Sequence, residues 1–172
     1  MRCFKIESLE CGWFECRIGK YHIEASDYLG YDMPKELLSK LIKLLKGSSK
    51  EWIYVMNEPG AGMIELSLVG DTVTISEYSM NKPSFDLSTE INEEIKNIED
   101  CRFTVTLAKS DLIDAIVTDY SLYETGNGRS YYEFNWGAFP QNEYDELKRI
   151  AFEANANLDE INSLQCTDFL KL

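Results

Sequence analysis

The chain has 172 residues, and its 17 basic and 30 acidic side chains give a formal net charge of -13. Hydrophobic residues make up 44% of the sequence, which is typical of a globular protein and too high for a disordered chain. The acidity disfavours a nucleic-acid binder and a protein that docks on an anionic membrane, because both need a basic surface. The length predicts a single domain over residues 1–172.

The start of the chain and its cysteines indicate a cytoplasmic protein. Charges at Arg2 and Lys5 interrupt the apolar run that a secretory signal requires, and no stretch approaches about 18 apolar residues. The odd number of cysteines and the lack of a Cys-x-x-Cys pair favour reduced thiols, so we expect no disulfide. The five cysteines are Cys3, Cys11, Cys16, Cys101 and Cys166.

A zinc site near the N-terminus is a weaker interpretation of the first cysteines. Cys11 and Cys16 lie close to His22 in sequence, but a tetrahedral site would have to recruit Cys3 as well. Small side chains in an apolar core explain these cysteines better. We therefore expect no bound metal and no cofactor.

The N-terminal segment predicts antiparallel strands. A first strand is expected from Cys3 to Leu9. Apolar and polar residues alternate over residues 14–18 and again over residues 21–25, and Gly19 begins a tight turn between them. This pattern predicts a β-hairpin.

Residues 34–46 predict the clearest helix of the chain. Pro34 suits the first turn, Asp32 can cap it, and Gly47 ends it. Lysines lie on one side of this helix and an apolar stripe on the other, so we expect the stripe to pack on the sheet. The stripe consists of Leu37, Leu38, Leu41, Ile42, Leu44 and Leu45.

The middle of the chain predicts a meander of strands. Residues 81–90 look like a loop, because Pro83 excludes a central strand, and residues 91–98 predict a short acidic helix. Gly70-Asp71 is expected to form a second tight hairpin turn. The strands expected in this region cover residues 52–56, 64–68, 73–75 and 103–107.

The last third predicts helices with one strand among them. Ser110 can cap a helix that runs to about Tyr120, and Tyr131–Trp136 is rich in strand-forming aromatic residues. Another helix follows Pro140, and a short one is expected around residues 158–164. Runs of strands with helices inserted predict an α+β fold with a mainly antiparallel sheet.

Catalytic motifs are missing from the sequence. His22 is the one histidine, and the strand alternation places it on a solvent-exposed face. Asp111 and Asp114 lie three apart and share a helix face with Thr118, with Asp119 on the flank. Paired carboxylates can bind a divalent cation or cut a glycosidic bond, but a solvated helix face explains them better.

Aromatic residues ringed by acids are concentrated in residues 120–144. Tyr131 and Tyr132 are neighbours on the predicted strand, so they cannot both point into one core. Such a mixture is typical of a protein-binding face, although a buried face with incidental exposed tyrosines is an alternative explanation. With acids as rim and aromatic rings as apolar anchors, the candidate partner-binding residues are Asp111, Asp114, Asp119, Tyr123, Glu124, Tyr131, Glu133 and Trp136.

The stretch from Gly12 to Gly47 carries a family resemblance. It reads GWFECRIGKYHIEASDYLGYDMPKELLSKLIKLLKG. This pattern resembles small bacterial cytoplasmic immunity proteins of contact-dependent and other polymorphic toxin systems, over about residues 1–80. The resemblance implies a protein that binds a cognate toxin, a basic nuclease-type effector, and neutralises it by covering the active site. It carries no catalytic residue across.

The distribution of charge agrees with that hypothesis. Nearly all the net negative charge lies in residues 49–172, so an electropositive partner should meet this part of the chain. Two alternatives remain open from the residues. One is a small carboxylate-dependent enzyme, and the other is a ligand-binding regulatory domain.

Overall fold

Two antiparallel sheets form the structure, and the strands of each are consecutive in the chain. The computed structural model describes residues 2–27, 30–57, 60–81 and 94–153. The first sheet has the order β1-β2-β3 and the second β4-β5-β6-β7. The seven strands are β1 (Phe4–Glu10), β2 (Trp13–Ile18), β3 (Tyr21–Ser26), β4 (Lys50–Asn57), β5 (Gly60–Val69), β6 (Thr72–Met80) and β7 (Ile98–Ala108).

Helices lie between the two sheets in the chain and after the second one. They are α1 (Met33–Leu45), α2 (Lys109–Ser121), α3 (Gly126–Asn135) and the helical residues 141–153, here called α4. A single 3₁₀ turn, Ile95–Asn97, precedes β7. The predicted α+β fold with antiparallel sheets is therefore confirmed. None of the helices in the described ranges combines the length and the apolar character needed to cross a membrane.

Glycines with positive φ make the two predicted hairpin turns possible. Gly19 has a φ of 61° and joins β2 to β3, and Gly70 has a φ of 58° and joins β5 to β6. These values lie in the left-handed region that residues with a Cβ rarely adopt. Each turn lies where the sequence predicted it.

Helix α1 packs its apolar stripe against the second sheet, as expected. Asp32 caps it, because the Asp32 Oδ1 atom accepts a hydrogen bond from the Lys35 backbone N–H at 3.1 Å. The helix contacts β4 and β5. One hydrophobic cluster joins α1, both sheets and the C-terminal helices, so the described elements share a core.

The predicted strand Tyr131–Trp136 is wrong, because residues Gly126–Asn135 form α3. Tyrosine, phenylalanine and tryptophan favour strands only where a neighbouring strand pairs with them. Here the end of α3 docks on the turn between β1 and β2, where the Gly12 N–H donates to the Asn135 carbonyl oxygen at 2.7 Å. Tertiary contacts therefore outweigh the local strand propensity.

Smaller differences concern the borders of elements. Helix α2 begins at Lys109 without a side-chain cap, so Ser110 does not cap it. Ile98 begins β7 and does not end a helix. Residues 82–90 of the predicted loop, residues 91–93 of the predicted helix 91–98, all of the predicted helix 158–164, and Cys166 lie outside the described residues. The single domain over residues 1–172 therefore stays a prediction.

A buried carboxylate interrupts the inner face of β6. Glu77 is buried and pairs with the Arg102 guanidinium, with 2.9 Å between Glu77 Oε1 and Arg102 Nη1. Burial raises the pKa of Glu77, and the charges of Arg102 and His22 oppose this rise only in part. Because the folded-state pKa is raised, Glu77 stabilises the fold when it is protonated, and this contribution is lost as the pH rises through the raised pKa.

We predict that Glu77→Gln is more stable than the wild type at pH 7. The neutral amide avoids the desolvation of a charge, and the difference should vanish near pH 4, where Glu77 itself is mostly neutral. Urea unfolding at both pH values measures this. Glu99→Gln, on an exposed residue of β7, is the matched control and should show no such pH dependence. A Gln variant that is less stable at pH 7 would show that the Arg102 pair outweighs the burial of the charge.

Candidate functional site

A groove between α2 and the start of the chain brings together two of the predicted residues. It is open to solvent and has a volume of about 350 Å³. Asp111, Asp114 and Thr118 line it from α2, as their spacing predicted. The other lining residues are Arg2, Cys3 and Ala115.

The Cys3 thiol in this groove is held in its protonated form. Its Sγ atom donates a hydrogen bond to the Asp111 carbonyl oxygen at 3.1 Å. Burial, together with the charges of Asp111 and Asp114, raises the pKa of the Cys3 thiol. Since the thiolate is the reactive form, the groove disfavours a cysteine nucleophile.

Asp119 lies in the core, so its assignment to a charged rim is wrong. The residue is 2% exposed. Its Oδ2 atom accepts the Ile6 backbone N–H at 2.6 Å, and its Oδ1 atom accepts a hydrogen bond from Arg2 Nη1 at 3.1 Å. The register of β1 against β2 shifts just after Ile6. Asp119 therefore fixes α2 on the edge of the first sheet.

Helix α3 turns its aromatic residues to opposite sides. Tyr132 points inward, and its ring packs on Tyr123 and Phe139 with centroid distances of 5.8 and 5.2 Å. Phe134 is 88% exposed and Tyr131 is 44% exposed, and their spacing of three places them on the same outer side of the helix. The structure thus exposes Tyr131 and buries its neighbour Tyr132.

An aliphatic side chain adds to the exposed aromatic ones. Leu122, which ends α2, is 63% exposed. Its carbonyl group lies so close to α3 that a Cβ at Gly128 would overlap it. Close packing of the chain at Gly128 therefore keeps Leu122 beside α3. We call Asp111, Asp114, Leu122, Tyr131 and Phe134 the α2–α3 surface.

Trp136 and Tyr123 do not serve as exposed anchors. Trp136 is buried, donates its indole N–H to Asp32 Oδ1 at 3.0 Å, and packs on Phe14 with 6.0 Å between the ring centroids. It therefore joins the end of α3 to the cap of α1. Tyr123 is half-buried against Tyr132. The anchor role predicted for Trp136 is wrong.

The acids of the predicted rim differ in how far they are neutralised. Glu124 pairs with Lys148 of α4 at 2.5 Å, and Glu133 pairs with Arg129 of its own helix at 3.4 Å. Asp111 and Asp114 form no ion pair within the described ranges. The uncompensated negative charge of the α2–α3 surface therefore lies at the groove.

A metal or histidine site finds no support in the part of the chain that the structure describes. His22 lies at the surface of β3, as expected, with its Nδ1 atom 3.3 Å from Glu7 Oε2. No group of three or more described His, Cys, Asp or Glu side chains is placed to bind a metal ion. The four described cysteines are unbridged.

Sequence reasoning missed the exposure of Phe134 and Leu122. On the predicted strand, Phe134 shares a face with Tyr132 and Trp136, whereas on the helix it shares one with Tyr131. The spacing of Arg129 and Glu133, four residues apart, is a helical signal that could have revealed the difference.

Comparisons with known proteins leave the chain without a relative to reason from. No protein-family model matches it, and no curated protein or solved structure matches it either. What this surface does must therefore be inferred from its own geometry and charge.

We predict that Asp119→Ala lowers the free energy of unfolding by about 2–3 kcal/mol, because the buried Ile6 N–H loses its acceptor. Asp119→Asn should lose less, since its amide oxygen can still accept from Ile6. Urea unfolding of both variants measures the loss.

Arg2→Ala is the matched control, because it removes the other, exposed partner of the same carboxylate. It should change stability by less than about 1 kcal/mol. Equal losses in Asp119→Ala and Arg2→Ala would contradict the importance of the bond to Ile6.

Proposed function

We propose that the chain is an immunity-type inhibitor that binds a basic protein toxin through the α2–α3 surface and covers its active site. The observation that carries this proposal is that α2 and α3 together expose Phe134, Tyr131 and Leu122 and also present Asp111 and Asp114, which form no ion pair within the described residues. The resemblance of residues 12–47 to immunity proteins points the same way.

The apolar part of the surface suits the centre of a protein interface. Three of the five large hydrophobic side chains that stand exposed in the described residues lie between positions 122 and 134. Exposed aromatic rings with few neighbours are favourable anchors, because a partner pocket can remove most of their area from water. Phe134 is the strongest candidate, since it is the most exposed of them.

The charged part of the surface suits recognition of a basic partner. Asp111 and Asp114 form no ion pair within the described residues, and Arg2, which lines the same groove, pairs with Asp119, so the two acids remain available to lysine or arginine side chains of another protein. A net charge of -13 adds a long-range attraction that raises the rate of encounter.

A nuclease-type toxin fits these properties because of its own chemistry. An enzyme that acts on nucleic acid must hold phosphate groups, and it does so with a basic surface. An acidic inhibitor competes for the same basic groups and blocks access to the active site. This mode of action needs no catalytic residue in the inhibitor.

The enzymatic alternative has less support. The groove holds two carboxylates, but the thiol beside them is protonated, and no described group joins them as a nucleophile or metal site. Turnover of a small substrate that is lost in an Asp111→Asn/Asp114→Asn variant would favour it over the inhibitor.

We predict that Phe134→Ala weakens binding by about 2 kcal/mol, or roughly 30-fold, without loss of stability. The partner is to be captured by co-purification of the tagged chain with the product of the adjacent gene, and the affinity measured by surface plasmon resonance. Phe152→Ala is the matched control, because Phe152 is 75% exposed on α4, outside the surface. Equal effects of the two variants would place the interface elsewhere.

We predict that Asp111→Asn/Asp114→Asn slows association by about tenfold at low salt and changes dissociation little, because these charges steer the encounter. Association rates measured over a range of NaCl concentrations test this. A wild-type association rate that does not depend on salt would exclude electrostatic recognition.

A further inference from the structure

The outer edge of β7 has no partner strand among the described residues. β7 pairs with β6 on one side and is the last strand of its sheet. Just past its end, the Lys109 N–H donates to the Asp71 carbonyl oxygen at 2.8 Å, so the odd-numbered residues of β7 face β6. The N–H and C=O groups of Thr104, Thr106 and Ala108 therefore face away from the sheet.

Two other edge strands, β1 and β4, each have a backbone N–H that is bound by a side chain. On β1 the Ile6 N–H is bound by Asp119, and on β4 the Tyr54 N–H donates to the Tyr31 hydroxyl at 3.1 Å. Within the described residues, no hydrogen bond beyond the ladder with β6 reaches the backbone of Thr104 or Thr106 or the N–H of Ala108, whereas the Ala108 carbonyl oxygen, as the N-cap of α2, accepts the first bond of that helix. The edge of β7 is thus left open in a way that these edges are not.

The sequence of this edge suits pairing with another strand. Residues 103–108 read FTVTLA and contain no charge, no proline and no glycine. Natural edge strands usually carry charges or bulges that prevent pairing. In β7 the irregular register lies before Phe103, so it leaves residues 103–108 regular.

We propose that this edge pairs with the same edge of a second copy of the chain, so that the two four-stranded sheets join into one. In an antiparallel pair about a two-fold axis, Thr106 meets Thr106 of the second copy and Thr104 meets Ala108. All three positions are outward-facing, and because the Ala108 carbonyl oxygen already accepts the first bond of α2, the matching backbone groups form about four hydrogen bonds. No charged residue meets a like charge within residues 103–108.

Side chains on the inner face favour the same register. Val105 and Leu107 are half-buried at the margin of the core. In the two-fold pair, Val105 lies opposite Leu107 of the second copy, and Leu107 lies opposite Val105. Both side chains therefore lose further contact with water. Because residues 103–108 match their own backbone and side chains in this register, we take a second copy of the chain as the partner of this edge.

This pairing involves other residues than the proposed binding of a toxin. It also depends on salt in the opposite way. Two copies, each with a charge of -13, repel each other, so added salt should strengthen the dimer. Salt should weaken a complex with a basic protein. The two proposals can therefore fail separately.

Sedimentation equilibrium of the whole chain at low and high NaCl concentration tests the pairing. Thr106→Lys places two ammonium groups together on the axis and should weaken dimerisation at least about tenfold. Thr74→Lys is the matched control: Thr74 lies on the adjacent strand β6, 3.3 Å from Thr106 between the hydroxyl oxygens. Thr74→Lys loses the same hydrogen bond between the two threonine hydroxyl groups and adds the same positive charge, but away from the edge. It should therefore change the dimerisation constant by less than about threefold.

A second substitution covers the case in which Thr106→Lys does not fold. The Thr106 N–H faces outward, so Thr106→Pro removes no bond to β6 but blocks the pairing. Circular dichroism verifies the fold of each variant. A wild-type chain that stays monomeric at high salt and millimolar concentration, or equal effects at positions 74 and 106, overturns the proposal.

Discussion

The bond between the Asp119 carboxylate and the Ile6 backbone holds α2 against the edge of β1, and the C-terminal third of the structure depends on that placement. The next residue, Tyr120, is buried and donates its hydroxyl group to the Pro34 carbonyl oxygen at 2.9 Å, which joins α2 to α1. Its ring packs near Phe4, Phe139 and Tyr144. Two consecutive side chains therefore connect the first sheet, α1 and the region that leads into α4.

This arrangement explains why the α2–α3 surface has its particular composition. With Asp119 and Tyr120 turned inward, helical periodicity turns Asp111, Asp114 and Thr118 outward to the groove. The close approach of Leu122 and Gly128 then sets α3 against α2, and Tyr132 fills the space between them. Phe134 is exposed because Tyr132 and Trp136 occupy the inner side. The proposed binding surface is thus a consequence of how the core is filled.

Charge and apolar area have separate roles in the proposed function. Glu124 and Glu133 form ion pairs within the chain, whereas the groove acids Asp111 and Asp114 form none within the described residues. Acids at the margin of an interface mainly affect the association rate of a basic protein. A desolvated aromatic ring mainly affects its dissociation rate. The proposed pairing at the edge of β7 uses no charged side chain, since it relies on backbone groups and on the apolar side chains of Val105 and Leu107. A single small fold can therefore carry two interaction sites of different chemistry.

The sequence by itself determined the features that depend on near neighbours in the chain. Alternation over residues 14–18 and 21–25, the glycine turns, the leucine stripe of α1 and its Asp32 cap are local properties, because turn geometry and periodic burial are set within a few residues. The tertiary structure alone decided that residues 126–135 are helical, that Asp119 and Trp136 are buried and that Phe134 is exposed. Tyrosine and phenylalanine fit a strand or a helix equally well when buried, so their conformation follows from which elements reach them. A carboxylate is exposed unless a distant backbone group, here that of Ile6, needs it as an acceptor, and no local pattern encodes that contact.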